Sequence, residues 1–380
     1  MAAGGRQPQI RSEDETCKVC PNVESAYVCR NSEPNVFIVH AERKVITGRV
    51  KDKEVKKRKK KILQDIEKKV SALRNTHGGH LLVHLDGHKK GDRFLEYFHE
   101  FVDKTLQYLI ECGKPYTDSY VCTWLCDLDG FEHFVDVLLI TVENTCCIST
   151  VNFNTKICSD FEKTNASTWN IVSILAHSPD RANVDASLRG VEPIPHECRN
   201  TELKYLPDQG NKSDFDLVDY IWDDLKLKDN LTSLSKVHGG GSYYVGLAEN
   251  AGTTDGYKNK VITKEGFQIT NPDTFKKAIT ERINADVCVL DYRGTFSQLP
   301  PSLIKVETYR VSASPKKYIL EVAIGFFGGL VFSDREGPRT YEISEGRIYR
   351  MAKEEWQRRI TQLPSWKGIN TATQEVRDLA

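Results

Sequence analysis

Between His196 and Asn250 the chain carries three carboxylates that could hold a divalent cation. Glu197 and Glu202 lie five apart in HECRNTELK, and Glu249 ends an apolar strand after His238-Gly239-Gly240-Gly241. Hard cations prefer oxygen ligands, so three carboxylates suit Mg2+ or Mn2+ better than zinc. Such an ion offsets the charge that builds on a scissile phosphate and activates a bound water, which is the chemistry of phosphodiester hydrolysis. Lys204, two residues after Glu202, would steady a phosphate oxygen. The same glutamates also read as ordinary exposed carboxylates, and Glu192 is a bystander of the same type. The glycine run is no triphosphate loop, because neither Lys-Ser nor Lys-Thr follows it; a helix cap and tight turn account for it.

Two further groups of residues could do chemistry. Cys17-x-x-Cys20, with Cys29 and His40, can be drawn as a zinc site, but the spacing is not that of a familiar finger. Free thiols are the preferred reading. Arg49–Lys61 reads RVKDKEVKKRKKK, nine basic and two acidic residues. It is open between the solvated start of a helix, a nuclear-import-like run, and a phosphate-binding ridge in which Lys56, Lys57, Arg58, Lys59, Lys60 and Lys61 contact RNA. Lys plus Arg equals Asp plus Glu, 53 each, so nucleic-acid binding must come from such a local patch.

The elements that must position these residues follow from periodicity. Ile62, Ile66, Val70 and Leu73 stand at helical spacing, so the basic run lies on a helix that ends near Gly78-Gly79. A strand over His80–Asp86, a helix over Phe94–Ile110 and strands over Tyr120–Leu125, Phe134–Val142 and Ile148–Phe153 follow. After Ser178–Pro195 the pattern starts again. Leu217, Ile221, Leu225, Leu231 and Leu234 mark one helix, ended by the glycine run and followed by a strand over Tyr243–Leu247. A helix over Phe275–Ile283, strands over Leu303–Val311, Lys317–Ile324, Phe326–Phe332 and Tyr341–Ile348, and a helix over Lys353–Ile360 complete the chain.

The unit therefore occurs twice, and Gly78-Gly79 set on Gly240-Gly241 gives an offset of 162 residues. This predicts a mixed α/β protein of two lobes. The expected layout is a flexible tail over 1–34, a first lobe over 35–177, a linker over 178–195, a second lobe over 196–362 and a tail over 363–380. Setting Glu42-x-Lys44 on Glu202-x-Lys204 places Phe37 where Glu197 stands and Gly87 where Glu249 stands. One lobe would then work and the other support it. No apolar stretch of 18 residues occurs, so no membrane helix is expected. The eleven irregularly spaced cysteines, and an N-terminus without the apolar core of a secretory signal, point to a cytoplasmic protein with reduced thiols. A nuclear pool is also expected if the basic run acts in import.

HECRNTELK, the downstream helix, Gly240-Gly241 and the strand ending Gly246-Leu247-Ala248-Glu249 resemble the Schlafen core. The resemblance runs over residues 36–362. It implies two AlbA-2-like lobes forming a U-shaped pseudo-dimer, and a metal-dependent endoribonuclease acting on structured RNA such as transfer RNA or ribosomal RNA. The family's catalytic acids fall on Glu197, Glu202 and Glu249. Short Schlafen-like proteins trim small-RNA precursors as paired subunits, which implies a second Schlafen-like subunit as a partner. Two departures bear on this. Glu249 stands where active members carry Asp, and Gly328-Gly329 stand where vertebrate members carry zinc-binding cysteines. Cys288 alone cannot make that site, so no zinc is expected in the second lobe. The alternatives are a non-catalytic RNA-binding or partner subunit and an ATP-binding AlbA-2 protein.

Overall fold

The computed structural model describes residues 17–31, 35–42, 45–46, 53–88, 102, 105–106, 109, 120–145, 148–159, 162–177, 182–207, 213–254, 257–312 and 314–362. The architecture is mixed α/β, with several small sheets. Its described residues form two compact units: Phe153–Pro338 is one, and the chain up to and including Asn152 together with the stretch that begins at Arg339 is the other.

The first unit opens with helix α1 (Val19–Asn31), strand β1 (Val36–Glu42), helix α2 (Lys53–Arg74) and strand β2 (Gly79–Asp86). Strands β3 (Tyr120–Trp124) and β4 (Val137–Val142) follow. β1 and β2 pair in parallel, as a crossover helix such as α2 allows, and β4 runs antiparallel to both β2 and β3. The strand order is β1-β2-β4-β3. Alternate β2 residues point to opposite faces. Leu81, Val83 and Leu85 pack with Ile66, Val70 and Leu73 of α2, while Leu82 packs with Cys20, Val23 and Tyr27 of α1. Burial on both faces is why HLLVHLD is apolar almost throughout.

Helix α1 corrects the expected flexible tail over 1–34. Cys20, Val23 and Tyr27 recur at helical spacing and are buried, a short stripe hidden among polar neighbours. Residues 1–16 lie outside the described residues. So does most of the helix expected over Phe94–Ile110, of which Val102, Leu106 and Leu109 join the α2 side of the core. The last described strand before the second unit is β5 (Thr150–Asn152).

The second unit begins with a hairpin of β6 (Lys156–Ser159) and β7 (Glu162–Asn165), then helix α3 (Thr168–His177). Strand β8 (Thr201–Lys204), helices α4 (Asp214–Asp223) and α5 (Leu227–Leu234), and strand β9 (Gly241–Val245) follow. A hairpin of β10 (Leu247–Thr254) and β11 (Tyr257–Lys264) leads to β12 (Phe267–Gln268) and helix α6 (Pro272–Asp286). Strands β13 (Cys288–Asp291), β14 (Phe296–Gln298), β15 (Ile304–Val311), β16 (Ser314–Ile324) and β17 (Gly329–Phe332) complete it. β8 and β9 are parallel, and β16 is antiparallel to β9 and to β15. The order β8-β9-β16-β15 repeats that of the first unit, with β12 added beside β16.

Glycine is required at the start of the inner strand in both units. A Cβ at Gly79 would lie 2.3 Å from the Asn35 carbonyl oxygen, and one at Gly241 would lie 2.7 Å from that of Asn200. The single helix expected through Leu217–Leu234 is two helices, because Lys226 adopts φ 60° between them.

Residues 182–195, expected as part of a linker, are instead strapped onto the second unit. Val184 bridges Phe326, Ala186 N–H donates to Ser302 O at 3.0 Å, and Arg189 and Gly190 N–H donate to the Glu321 carboxylate at 2.8 and 3.0 Å. Pro, Asp and Gly there mark irregular backbone, not loose backbone.

The chain then returns to the first unit through β18 (Arg339–Ser344), β19 (Arg347–Arg350) and helix α7 (Lys353–Thr361). β18 pairs with β5, Arg339 beside Asn152. Trp356 of α7 is buried, and its indole N–H donates to Thr150 Oγ1 at 3.2 Å. Asn75 donates to both Ser149 O and Tyr341 O at 2.8 Å. The lobe expected over 196–362 therefore gives up its last three elements to the other unit, a long-range pairing with no local signature. The tail expected over 363–380 lies outside the described residues. Among the described residues no helix is long and apolar enough to cross a membrane.

Candidate functional site

Glu197 and Glu202 are brought together by a two-residue turn. Cys198 and Thr201 exchange backbone hydrogen bonds at 3.1 Å in both directions, with Arg199 and Asn200 between them. The next residue outward on each side is a glutamate, so five-residue spacing is what such a turn needs to set two carboxylates across from each other. Both line a cleft of about 290 Å³ in the second unit, together with Lys163, Cys198, Arg199, Thr201 and Leu234. Arg189 supports the turn through Asn200 Oδ1 and Thr201 Oγ1, both at 3.0 Å.

β8 then carries Glu202 and Lys204 on one face, beside Tyr243 and Val245 of β9. Lys163 reaches the cleft from β7 because the β6–β7 hairpin docks on α5, where Lys156 N–H donates to Thr232 Oγ1 at 3.0 Å. The Lys163 ammonium contacts both Glu202 Oε2 and Asn230 Oδ1, and the Lys204 ammonium contacts Glu202 Oε1. Burial pushes the Glu202 carboxyl up, and the two lysines outweigh it, so it ionises below the usual carboxylate range. Burial, with the Glu202 charge beside it, pushes the Tyr243 hydroxyl well above its ordinary value. The cleft thus presents two carboxyl groups in a basic setting, with Glu202 held ionised by its lysines.

Glu249 stands elsewhere. It is exposed on β10, opposite Ile262 of β11, and does not line the cleft. The link between them is Gly246, whose N–H donates to Lys204 O at 2.8 Å and starts β10 next to the end of β8. Glu192 pairs with Lys264. Of the basic run, Lys56, Lys57, Arg58, Lys60 and Lys61 are exposed on α2, while half-buried Lys59 donates to Ile46 O at 3.4 Å. Arg58 lies 3.8 Å from Glu42. Residues 49–52 lie outside the described residues.

The strand registers also correct the comparison of the two repeats. Val36 sits beside His80 and Thr201 beside Ser242, and these inner-strand partners are 162 residues apart. Phe37, not Glu42, therefore occupies the place of Glu202, so the first unit has an apolar side chain where the second has its acid. Lys163 was not singled out from sequence, since it lies on a short hairpin with no periodicity. Glu321 was also missed. It is fully buried on β16 and accepts from Ser242 Oγ (2.8 Å), Tyr244 OH (3.0 Å) and Tyr309 OH (2.8 Å) besides Arg189 and Gly190 N–H.

Among the described residues, the metal-capable group of three or more His, Cys, Asp and Glu is in the first unit: Cys17, Cys20, His40 and His84. The three glutamates do not form such a group. No family model matches the chain, and no curated protein matches it.

Proposed function

We propose that the second unit is a metal-dependent endoribonuclease module of the Schlafen type, cutting structured RNA such as transfer RNA or a small-RNA precursor. The observation that carries this reading is the Glu197–Glu202 pair in one cleft with Lys163, Lys204 and Arg199 around it. The repeated strand order supports two AlbA-2-like lobes, and the U-shaped pseudo-dimer is proposed with them.

The donors fit Mg2+ or Mn2+. Both are carboxylates, one is held ionised, and Mg2+ is commonly held by one or two carboxylates with water and substrate phosphate completing the shell. Glu197 and Glu202 would hold the ion; Glu249, outside the cleft lining, is carried as a third ligand by the resemblance alone. When bound, it supplies charge neutralisation and an activated water. Lys163, Lys204 and Arg199 bind and orient the phosphate, and the exposed lysines of α2 add contacts along the RNA backbone.

A second reading is favoured by one observation: each Glu202 oxygen already faces a lysine, and Glu249 stands outside the cleft lining. In that reading the chain is a non-catalytic RNA-binding subunit that completes its site with a second Schlafen-like chain. The test incubates end-labelled transfer RNA with Mn2+ or Mg2+, beside EDTA and Glu202→Ala controls. Discrete fragments lost in both controls support the nuclease. Cutting that survives Glu202→Ala sinks the site assignment. RNA bound but uncut establishes the second reading, and no RNA binding removes both.

A further inference from the structure

Four side chains in the first unit converge on one point, and none has a role in the proposed RNA chemistry. Cys17 lies just before α1 and Cys20 lies in its first turn. His40 on β1 and His84 on β2 are direct neighbours in the parallel register, so both rings project from the sheet toward α1. Neither cysteine is in a disulfide. The ligand atoms of all four lie within 4.8 Å of one another.

The distances match a coordination shell. Tetrahedral zinc, with bonds of about 2.3 Å to sulfur and about 2.0 Å to nitrogen, sets neighbouring ligand atoms roughly 3.3–3.8 Å apart. Cys17 Sγ lies 3.4 Å and Cys20 Sγ 3.2 Å from His84 Nδ1, Cys20 Sγ lies 3.7 Å from His40 Nδ1, and the two Nδ1 atoms are 3.2 Å apart. Pairwise hydrogen bonds explain this poorly. His84 Nε2 lies 3.2 Å from Asp136 Oδ2, and a carboxylate can only accept, so in the neutral ring Nε2 carries the proton and Nδ1 is the atom left to ligate. Its single lone pair faces two sulfurs and a second imidazole nitrogen. A histidine whose far nitrogen donates to a carboxylate is also the usual arrangement behind a metal ligand. Burial adds to the case: His84 is 2% and Cys20 1% exposed.

We infer that Cys17, Cys20, His40 and His84 form a closed Cys2His2 structural zinc site that pins α1 to the sheet of the first unit. Two thiolates and two imidazoles in a tetrahedron select zinc over Mg2+ or Mn2+. With four protein ligands the site is closed, so its role is structural. It belongs to the first unit and not to the second lobe, where no zinc was expected, and it replaces the Cys29 of the sequence-drawn set with His84; Cys29 is exposed on α1.

The full-length chain, purified without chelator, should hold about one zinc by elemental analysis. Stripped and reloaded with Co2+, it should show the visible bands of tetrahedral cobalt and near-ultraviolet thiolate charge-transfer bands. Cys29→Ser should keep both signals, and Cys17→Ser should lose at least half of the thiolate band. Because a ligand variant can misfold, a second measurement uses the unaltered chain: a chromophoric chelator should withdraw the metal and expose α1 to protease, and zinc should reverse this. A chain that takes up neither zinc nor Co2+, cobalt bound without thiolate bands, or a Cys17→Ser chain with an unchanged spectrum would overturn the proposal.

Discussion

Buried carboxylates decide much of this protein at the scale of single residues. Glu321 gathers five donors in a buried setting. Removing the acceptor strands all five, so Glu321→Ala should cost about 3–5 kcal/mol in urea unfolding, and Glu321→Gln less. Glu24 is the opposite case. It is buried with no hydrogen bond to Oε2, and burial pushes its carboxyl up to about 7 from an ordinary 4.5, against the pull of Lys69. At pH values under 4.5 folded and unfolded chains both keep the proton, and nothing is lost. As pH rises from there to about 7, only the unfolded chain releases it, so stability falls across that window and then levels off. Glu24→Gln should therefore stabilise the chain at pH 8, by on the order of 1–3 kcal/mol, and have little effect near pH 4; thermal melts at both values check it. Sequence exposed Glu197 and Glu202 because their spacing is set by a local turn. It concealed Glu321 and Glu24, whose meaning lies in burial and in partners far along the chain.

Helices were legible where a long apolar stripe marks the buried face. The stripe Ile62, Ile66, Val70, Leu73 foretold α2, and its other side presents Lys56, Lys57, Lys60 and Lys61 to solvent. If that side contacts RNA, Lys57→Glu with Lys61→Glu should weaken binding and flatten the salt dependence by roughly 0.7–0.9 in log–log slope per lost phosphate contact. Filter binding across a salt series reads this. The break between α4 and α5 was not legible, because the apolar spacing continues through it. Its cause is Lys226, held at φ 60°. A left-handed lysine is strained where glycine is not, so Lys226→Gly should be neutral or stabilising by up to about 1 kcal/mol. A loss above that would show that the lysine side chain contributes more than its backbone costs. Helix α1 escaped notice for another reason: its stripe is three residues long in a polar segment.

For the whole molecule, the duplication was visible in sequence, but the borders of the two units were not. Helix order and glycine caps repeat locally, whereas the pairing of β5 with β18 joins segments some 190 residues apart. Phe153–Pro338 is continuous and carries its own core, so that fragment should fold alone and give a cooperative melt, while a fragment ending at Asn152 should not. During synthesis the same asymmetry becomes a matter of time. β5 leaves the ribosome with the 186 residues of Phe153–Pro338 still between it and its partner β18, an interval of about 10–40 s at ordinary elongation rates. Through that interval the inserted unit can finish folding, while Thr150 and the first sheet wait for Trp356. A nascent chain stalled just after Pro338 should thus be the form that chaperones hold longest.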